Sequence, residues 1–244
     1  MSRVHETETR VALVTGGASG LGREVARQLV EVGITTVISS RRAADAAATA
    51  KELDALALDV GLDLTDGDSV NAFARQLENE LGRLDVLVNN AAAYVDWTET
   101  VSGASLDEAR RVMETNLFGA WQLTQALLPL LLAGPAPRIV NVSSGAGSHD
   151  EAQFGLAARG GKAASYGISK AALNALTSTL AAQLRDTPLL VNAVCPGLTA
   201  TYPGAEAMGA RPVGDSARGV VWAATLPHGG PTGGFFRDAQ PLPW

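Results

Sequence analysis

The sequence predicts an α/β fold, a doubly wound parallel sheet of about seven strands with helices on both faces. Three observations predict it. Short apolar runs rich in β-branched residues alternate with segments whose apolar residues recur at helical spacing. Several of those runs are apolar at nearly every position, the pattern of strands buried on both faces. The composition also supports a large core, with 46% hydrophobic and 18% charged residues in 244. That length suits one domain over 1–244, with a flexible tail over 1–9.

The elements follow in order. Residues 11–15 (VALVT) form a compact apolar run that ends in glycines and reads as the first strand. Leu21, Val25, Leu29 and Val32 then repeat at helical spacing, and Gly33 stops that helix. Residues 34–39 (ITTVIS) read as a second strand, 43–56 as an Ala-rich helix and 57–62 as a third strand. Val70, Phe73, Leu77 and Leu81 mark one face of a helix closed by Gly82, and residues 84–88 (LDVLV) are a fourth strand. Ser105 with Glu108 makes a capping box opening a long helix to about Leu132. Residues 138–142 are a fifth strand, 164–185 a second long helix, and 189–194 a sixth strand ended by Pro196-Gly197. Asp215 caps a final helix to Thr225, and 233–236 supply a last strand. No repeat and no linker interrupts this rhythm.

Composition excludes several classes. Nineteen Lys and Arg against 25 Asp and Glu give a net charge of −6, a poor basis for binding nucleic acid or an anionic membrane. The lone Cys195 excludes an internal disulfide framework and reads as a small core residue. His5, His149 and His228 are too scattered for a metal cluster, so no metal is expected. No run approaches the ~18 apolar residues that cross a bilayer, and the N-terminus lacks the apolar stretch of a signal peptide. The expectation is a cytoplasmic protein acting on a small molecule.

Thr15-Gly16-Gly17-Ala18-Ser19-Gly20-Leu21-Gly22 lies between the first strand and the first helix. Glycines there let the backbone approach a ligand closely, and a helix N-terminus offers free N–H groups to a pyrophosphate. A tight strand–helix turn without a ligand is the plainer explanation; the placement favours a phosphate site. A P-loop is disfavoured because no lysine follows the last glycine. The second strand ends Ser39-Ser40-Arg41-Arg42, without the acid that an NAD-selective site uses on its ribose. Arg41, with Ser40 and Arg42, suits the 2′-phosphate of NADP(H), since guanidinium forks match phosphate. The competing account is a solvated basic pair opening a helix.

Tyr166 and Lys170 stand four apart at the start of a predicted helix and share a face. An adjacent ammonium favours tyrosinate, which predicts a phenol pKa lowered toward neutrality, suited to acid–base work. Ser143-Ser144 end the fifth strand, and Asn116 sits inside the long helix, where Asn is a poor helix former and suggests a local break.

Together the glycine turn, Asn89-Asn90-Ala91-Ala92, Asn116, Ser144, Tyr166-x-x-x-Lys170 and Pro196-Gly197 resemble the short-chain dehydrogenase/reductase family over about 11–201, most closely its single-domain carbonyl-reductase-like subset. The resemblance implies a Rossmann-type sheet and a nicotinamide cofactor, NADP(H) preferred and NAD(H) the alternative. Cofactor contacts would come from Gly16, Ser19, Gly20, Leu21, Gly22, Ser40, Arg41, Arg42, Asp63 and Leu64, then Asn90, Ala91, Tyr166, Lys170, Pro196, Gly197, Leu198 and Thr199. Tyr166 would protonate the carbonyl oxygen, Lys170 would bind the nicotinamide ribose, Ser144 would hold the substrate oxygen, and Asn116 would hold a water relaying protons to Lys170.

Two departures stand out. Ala92 replaces the family's usual glycine, and 22 residues separate Ser144 from Tyr166, more than the family norm. The resemblance implies that this insertion, residues 145–163, covers the helix face used for dimerisation, so a monomer or dimer is favoured over a tetramer. Substrate contacts are expected from three loops, with Trp97, Phe154 and Tyr202 as candidates and Tyr94 and Met208 beside them. The loop 199–213 is expected to act as a lid. The leading function is an NADPH-dependent reductase of ketones, aldehydes or quinones. An NAD-dependent alcohol dehydrogenase is the alternative. A nucleotide sensor has no need of the Asn–Ser–Tyr–Lys set, and a SAM-dependent methyltransferase leaves Tyr-x-x-x-Lys unexplained.

Overall fold

The structure, a computed structural model, describes residues 10–244; the expected tail over 1–9 lies outside them. Fourteen regular elements follow the predicted rhythm: β1 (Val11–Val14), α1 (Gly20–Glu31), β2 (Thr35–Ile38), α2 (Ala43–Leu53), α3 (Gly67–Leu81), β3 (Val86–Asn89), α4 (Leu106–Met113), α5 (Ala120–Ala133), β4 (Arg138–Val142), α6 (Ala164–Gln183), β5 (Leu190–Val194), α7 (Val213–Ala224), β6 (Phe235–Arg237) and β7 (Gln240–Pro241). The sheet runs β2-β1-β3-β4-β5-β6-β7. The first six strands are parallel, and β7 returns antiparallel on β6.

Strand alternation divides the core. Leu13, Leu87, Ile139 and Val191 face one side and pack on Phe73 and Leu77 of α3 and on Leu123, Leu127 and Leu131 of α5. Val14, Val86, Val88, Val140 and Val194 face the other, against Val25 and Leu29 of α1 and Val220 of α7. Both faces are covered, so the strands are apolar throughout. Among the described residues no helix is long and apolar enough to cross a membrane.

Three elements differ from the expectation. The predicted strand over 57–62 is reduced to one bridge, Leu56 against Val37. Leu56 exchanges backbone bonds with Thr36 and Ile38, after which the chain leaves the sheet while Leu58 and Leu62 stay buried. The apolar pattern there reported burial and not pairing. At Gly61 the chain crosses so tightly that a Cβ would run into the Arg41 carbonyl. Second, the long helix is interrupted: α4 and α5 are joined by a π-helical segment, Glu114–Gly119. Third, α7 begins at Val213, and Asp215 lies in its first turn, paired with Arg218, instead of capping it.

The insertion 145–163 follows β4 and leads into α6. It packs on the first turns of α6: Gly147 lies against the backbone of Lys170 and Ala171, and Gly167 against Ala146 and Leu156. Ser148 and His149 bond the carbonyls of Pro243 and Trp244. Leu106, Phe118, Trp121 and Ile168 remain exposed.

Candidate active site

Chain order reverses between β1 and β3, and ligands of such sheets bind at the carboxyl ends of the strands beside that switch point. Both strands end in the predicted motifs. Gly16 and Gly20 have φ of +62° and +52°, a conformation that other residues adopt only with strain. A Cβ on Gly22 would run into the Asn90 amide and the Gly16 carbonyl. Thr15 fastens the two strand ends: its Oγ1 accepts from Asn90 N and Ala91 N, each at 3.0 Å. Asn90 Nδ2 donates to Thr15 O at 2.8 Å. Ser19 precedes α1 without capping it by its side chain, so the helix's first amides are left to an anion. The turn therefore fits the pyrophosphate of a dinucleotide.

After β2, Arg41 is exposed and Arg42 pairs with Asp45 at 2.7 Å. The Ser39 hydroxyl is buried without a partner beneath the glycine turn, whose Gly17 N–H donates to Ser39 O. Asp63 accepts from Thr65 N and Oγ1 at 2.9 and 2.7 Å, bonds that hold its carboxyl below the usual range. Leu64 packs on Gly119 of the π segment.

The π segment delivers Asn116 to the interior. The Asn116 side-chain Oδ1 accepts from Ala93 N at 2.7 Å, and Nδ2 donates to Ala93 O and Ser169 Oγ, both at 3.0 Å. Asn116 thus pins the loop after β3 to α6. Lys170 Nζ donates elsewhere, to Val142 O at 2.8 Å.

Ser144 follows β4 and Tyr166 sits in the first turn of α6, near enough for the Ser144 side chain to act on the phenol. Tyr166 is 7% exposed and Lys170 2%. Burial pushes the Tyr166 phenol far above its usual range, Tyr94 adds to the rise, and only the Ser144 side chain opposes it. This reverses the lowered phenol expected from sequence. Spacing puts Lys170 beside Tyr166, but Nζ stands 5.7 Å from the ring centroid and its bond goes to Val142. Burial also lowers Lys170 itself to about 8, against a smaller opposite effect from Cys195.

Tyr166 is enclosed by two side chains of the loop after β3. Tyr94 stacks on it at 5.4 Å between centroids, and Trp97 meets it edge-on at 5.3 Å. The other two substrate candidates lie apart in sequence and setting. Phe154 is half-buried in a turn where its N–H bonds the Glu151 carboxylate. Tyr202 donates to Met208 Sδ at 3.4 Å within 199–213. That loop follows Pro196-Gly197, with φ +76° at Gly197. Its neck is closed by the Thr199–Arg211 bridge, and Arg211 is held by Asp238 at 2.6 Å. Thr199 Oγ1 bonds Ser216 at 2.9 Å.

Sequence reasoning missed two contacts. Glu99 accepts from Ser165 N and Oγ at 2.8 and 3.0 Å, capping α6 from 66 residues away. Cys195 Sγ accepts from Gly145 N at 3.2 Å and from Arg237 at 3.3 and 3.4 Å. The polar tail residue Arg237 was the only signal of the second, and the first left none.

The sequence profile described as short chain dehydrogenase matches residues 10–208. The chain belongs to that family. It is an NAD(P)-dependent oxidoreductase acting on alcohol or carbonyl groups. Among curated relatives, (+)-neomenthol dehydrogenase of Capsicum annuum is 29% identical over 94% of this chain and 96% of the relative. (-)-Isopiperitenone reductase of Mentha piperita is 32% identical over 93% and 96%. Among solved structures, NADPH-bound carbonyl reductase from chicken fatty liver superposes with a TM-score of 0.81, at 26% identity, covering 97% of this chain and 99% of that one.

Proposed function

We propose that this family member is an NADPH-dependent reductase that transfers a hydride to the carbonyl carbon of a ketone, aldehyde or quinone. The observation that carries the proposal is the gathering of Ser144, Tyr166 and Lys170, with Nζ 5.7 Å from the Tyr166 ring centroid, at the carboxyl ends of strands beside the glycine turn. The NADPH-bound and reductase relatives support the direction and the cofactor.

In this reading Gly16, Ser19, Gly20, Leu21 and Gly22 hold the pyrophosphate. Ser40, Arg41 and Arg42 hold the 2′-phosphate, and Asp63 and Leu64 flank the adenine. Asn90 and Ala91 line the crevice floor, and Pro196, Gly197, Leu198 and Thr199 meet the nicotinamide carboxamide. The bound dihydronicotinamide supplies the hydride. Ser144 Oγ hydrogen-bonds the carbonyl oxygen and orients it. Tyr166 Oη gives its proton to that oxygen as negative charge develops. Lys170 binds the ribose hydroxyls and returns a proton to Tyr166, and Asn116 keeps the Ala91–Ala93 stretch fixed beneath the site. Among the substrate candidates, Trp97 is the one in contact with Tyr166; Phe154 and Tyr202 are assigned to the pocket rim. The working species is a monomer or dimer, and a stable tetramer in light scattering at low micromolar concentration overturns that part.

Tyr166→Phe tests the central role. Turnover should fall by about 10²–10⁴-fold, the usual worth of a positioned acid, while NADPH affinity by fluorescence titration stays within twofold. A variant that retains substantial kcat removes Tyr166 from the acid role.

A further inference from the structure

We propose that Tyr94 and Trp97 form a recognition pair for a flat ring ketone, and that Glu99 is the positioning residue that sets the pair against Tyr166. The inference rests on the reductase reading and adds the shape of its substrate.

The local structure begins with Asp96. Its carboxylate accepts from Thr98 N and Oγ1 at 2.8 and 2.6 Å, and Glu99 N donates to Asp96 O at 2.9 Å. This tight turn points Trp97 at Tyr166 and carries Glu99 to α6. The helix needs it there. Ala163, with φ +54°, precedes α6 and offers no side-chain cap, so the first amides lack an acceptor of their own. Glu99 supplies a charged one, favoured at a helix N-terminus. The residue it grips, Ser165, directly precedes Tyr166. A second tether, Arg111 Nη2 to Tyr94 O at 3.1 Å, holds the other end of the pair.

The result is two aromatic surfaces with unequal faces. Their inner sides pack on Tyr166, while Tyr94 stays 57% and Trp97 45% exposed. Large aromatic surface left to water at the mouth of a site is surface awaiting an apolar occupant. Tyr94 and Trp97 stand 6.0 Å apart between centroids with their planes inclined at 53°, so the pair offers one face and one tilted wall. A rigid planar ring meets both at once by stacking and edge contact. An open chain meets either only by giving up rotamer freedom.

The test compares two ten-carbon ketones, 2-tetralone and 2-decanone, by NADPH oxidation. The wild type is expected to prefer the ring ketone in kcat/KM by tenfold or more. Trp97→Ala and Tyr94→Ala should each cut that ratio about tenfold, chiefly through a higher KM for 2-tetralone. Glu99→Ala should do the same, and Glu99→Gln, which keeps an acceptor for Ser165, should restore most of it. If Glu99→Ala lowers the melting temperature while the ratio holds, the carboxylate is only a helix cap and the positioning role is overturned. An unchanged ratio in Trp97→Ala, or a wild type without ring preference, overturns the recognition pair and leaves the reductase reading standing. No NADPH oxidation with any carbonyl overturns both.

Discussion

Replacing Lys170 with methionine should make the protein more stable and inactive at once. Lys170 is 2% exposed, and burial lowers its pKa from 10.5 to about 8. That difference corresponds to about 3 kcal/mol of cost for holding the ammonium in the folded state near neutral pH. Methionine fits a similar volume and carries no charge. It abandons the Val142 carbonyl, however, which returns about 1 kcal/mol. The net gain below pH 8 is about 2 kcal/mol, or about 4–8 °C in Tm for a chain of this size. The pH dependence has a definite sign. Between pH 8 and 10.5 the unfolded chain binds a proton at this side chain that the folded chain does not. The wild type therefore recovers stability from this group as pH rises through that window. Urea unfolding of wild type and Lys170→Met, without cofactor, at pH 6, 7, 8, 9 and 10 reads the difference directly. It should be largest at pH 6–7 and shrink steadily above pH 8. A pH-independent difference, or a variant less stable at pH 6, refutes the account of Lys170 as a buried and costly charge.

Two further perturbations address the cofactor and the loop beneath it. Arg41→Asp removes the exposed guanidinium after β2 and substitutes the acid that suits ribose hydroxyls. KM for NADPH should rise by tenfold or more, on the order of one lost charged hydrogen bond, and preference should move to NADH. Steady-state kinetics with both cofactors decides this, and a variant that still prefers NADPH ends the assignment. Asn116→Ala strands the buried N–H and carbonyl of Ala93. Urea unfolding should show a loss of about 3 kcal/mol; a loss below about 1 kcal/mol means that the loop finds other partners.

Much of this arrangement was legible in the sequence, for physical reasons that also mark where legibility ends. Strands buried on both faces are apolar throughout, so the parallel sheet announced itself. The same logic misplaced residues 57–62, because Leu58 and Leu62 are buried without being paired. Asn116 stood out as a poor helix former, and the π segment is the break it implied. Glu99 could not stand out. A carboxylate that caps a helix 66 residues further on leaves no pattern within its own turn. The Tyr166–Lys170 spacing correctly placed two side chains on one helix face, but spacing carries no information about dielectric or about which atom faces which. Burial decides the charge states, and only the packed structure reveals burial.

That correction bears on the proton that Tyr166 would give in the proposed reduction. The expectation from spacing was a phenol lowered by its lysine, a group ready to take a proton. Burial of the pair instead raises the Tyr166 phenol and lowers the Lys170 ammonium. A neutral phenol is the species that gives a proton to a developing alkoxide, whereas alcohol oxidation begins with a phenolate to receive one. Removing Tyr166 from water, with Tyr94 stacked above it and Trp97 at its edge, makes that phenolate scarce. In the proposed reduction the aromatic pair would serve twice: it would shape the entrance and, by enclosing Tyr166, help keep the proton on the group that donates it. The same burial therefore raises the Tyr166 phenol and makes the Lys170 ammonium costly.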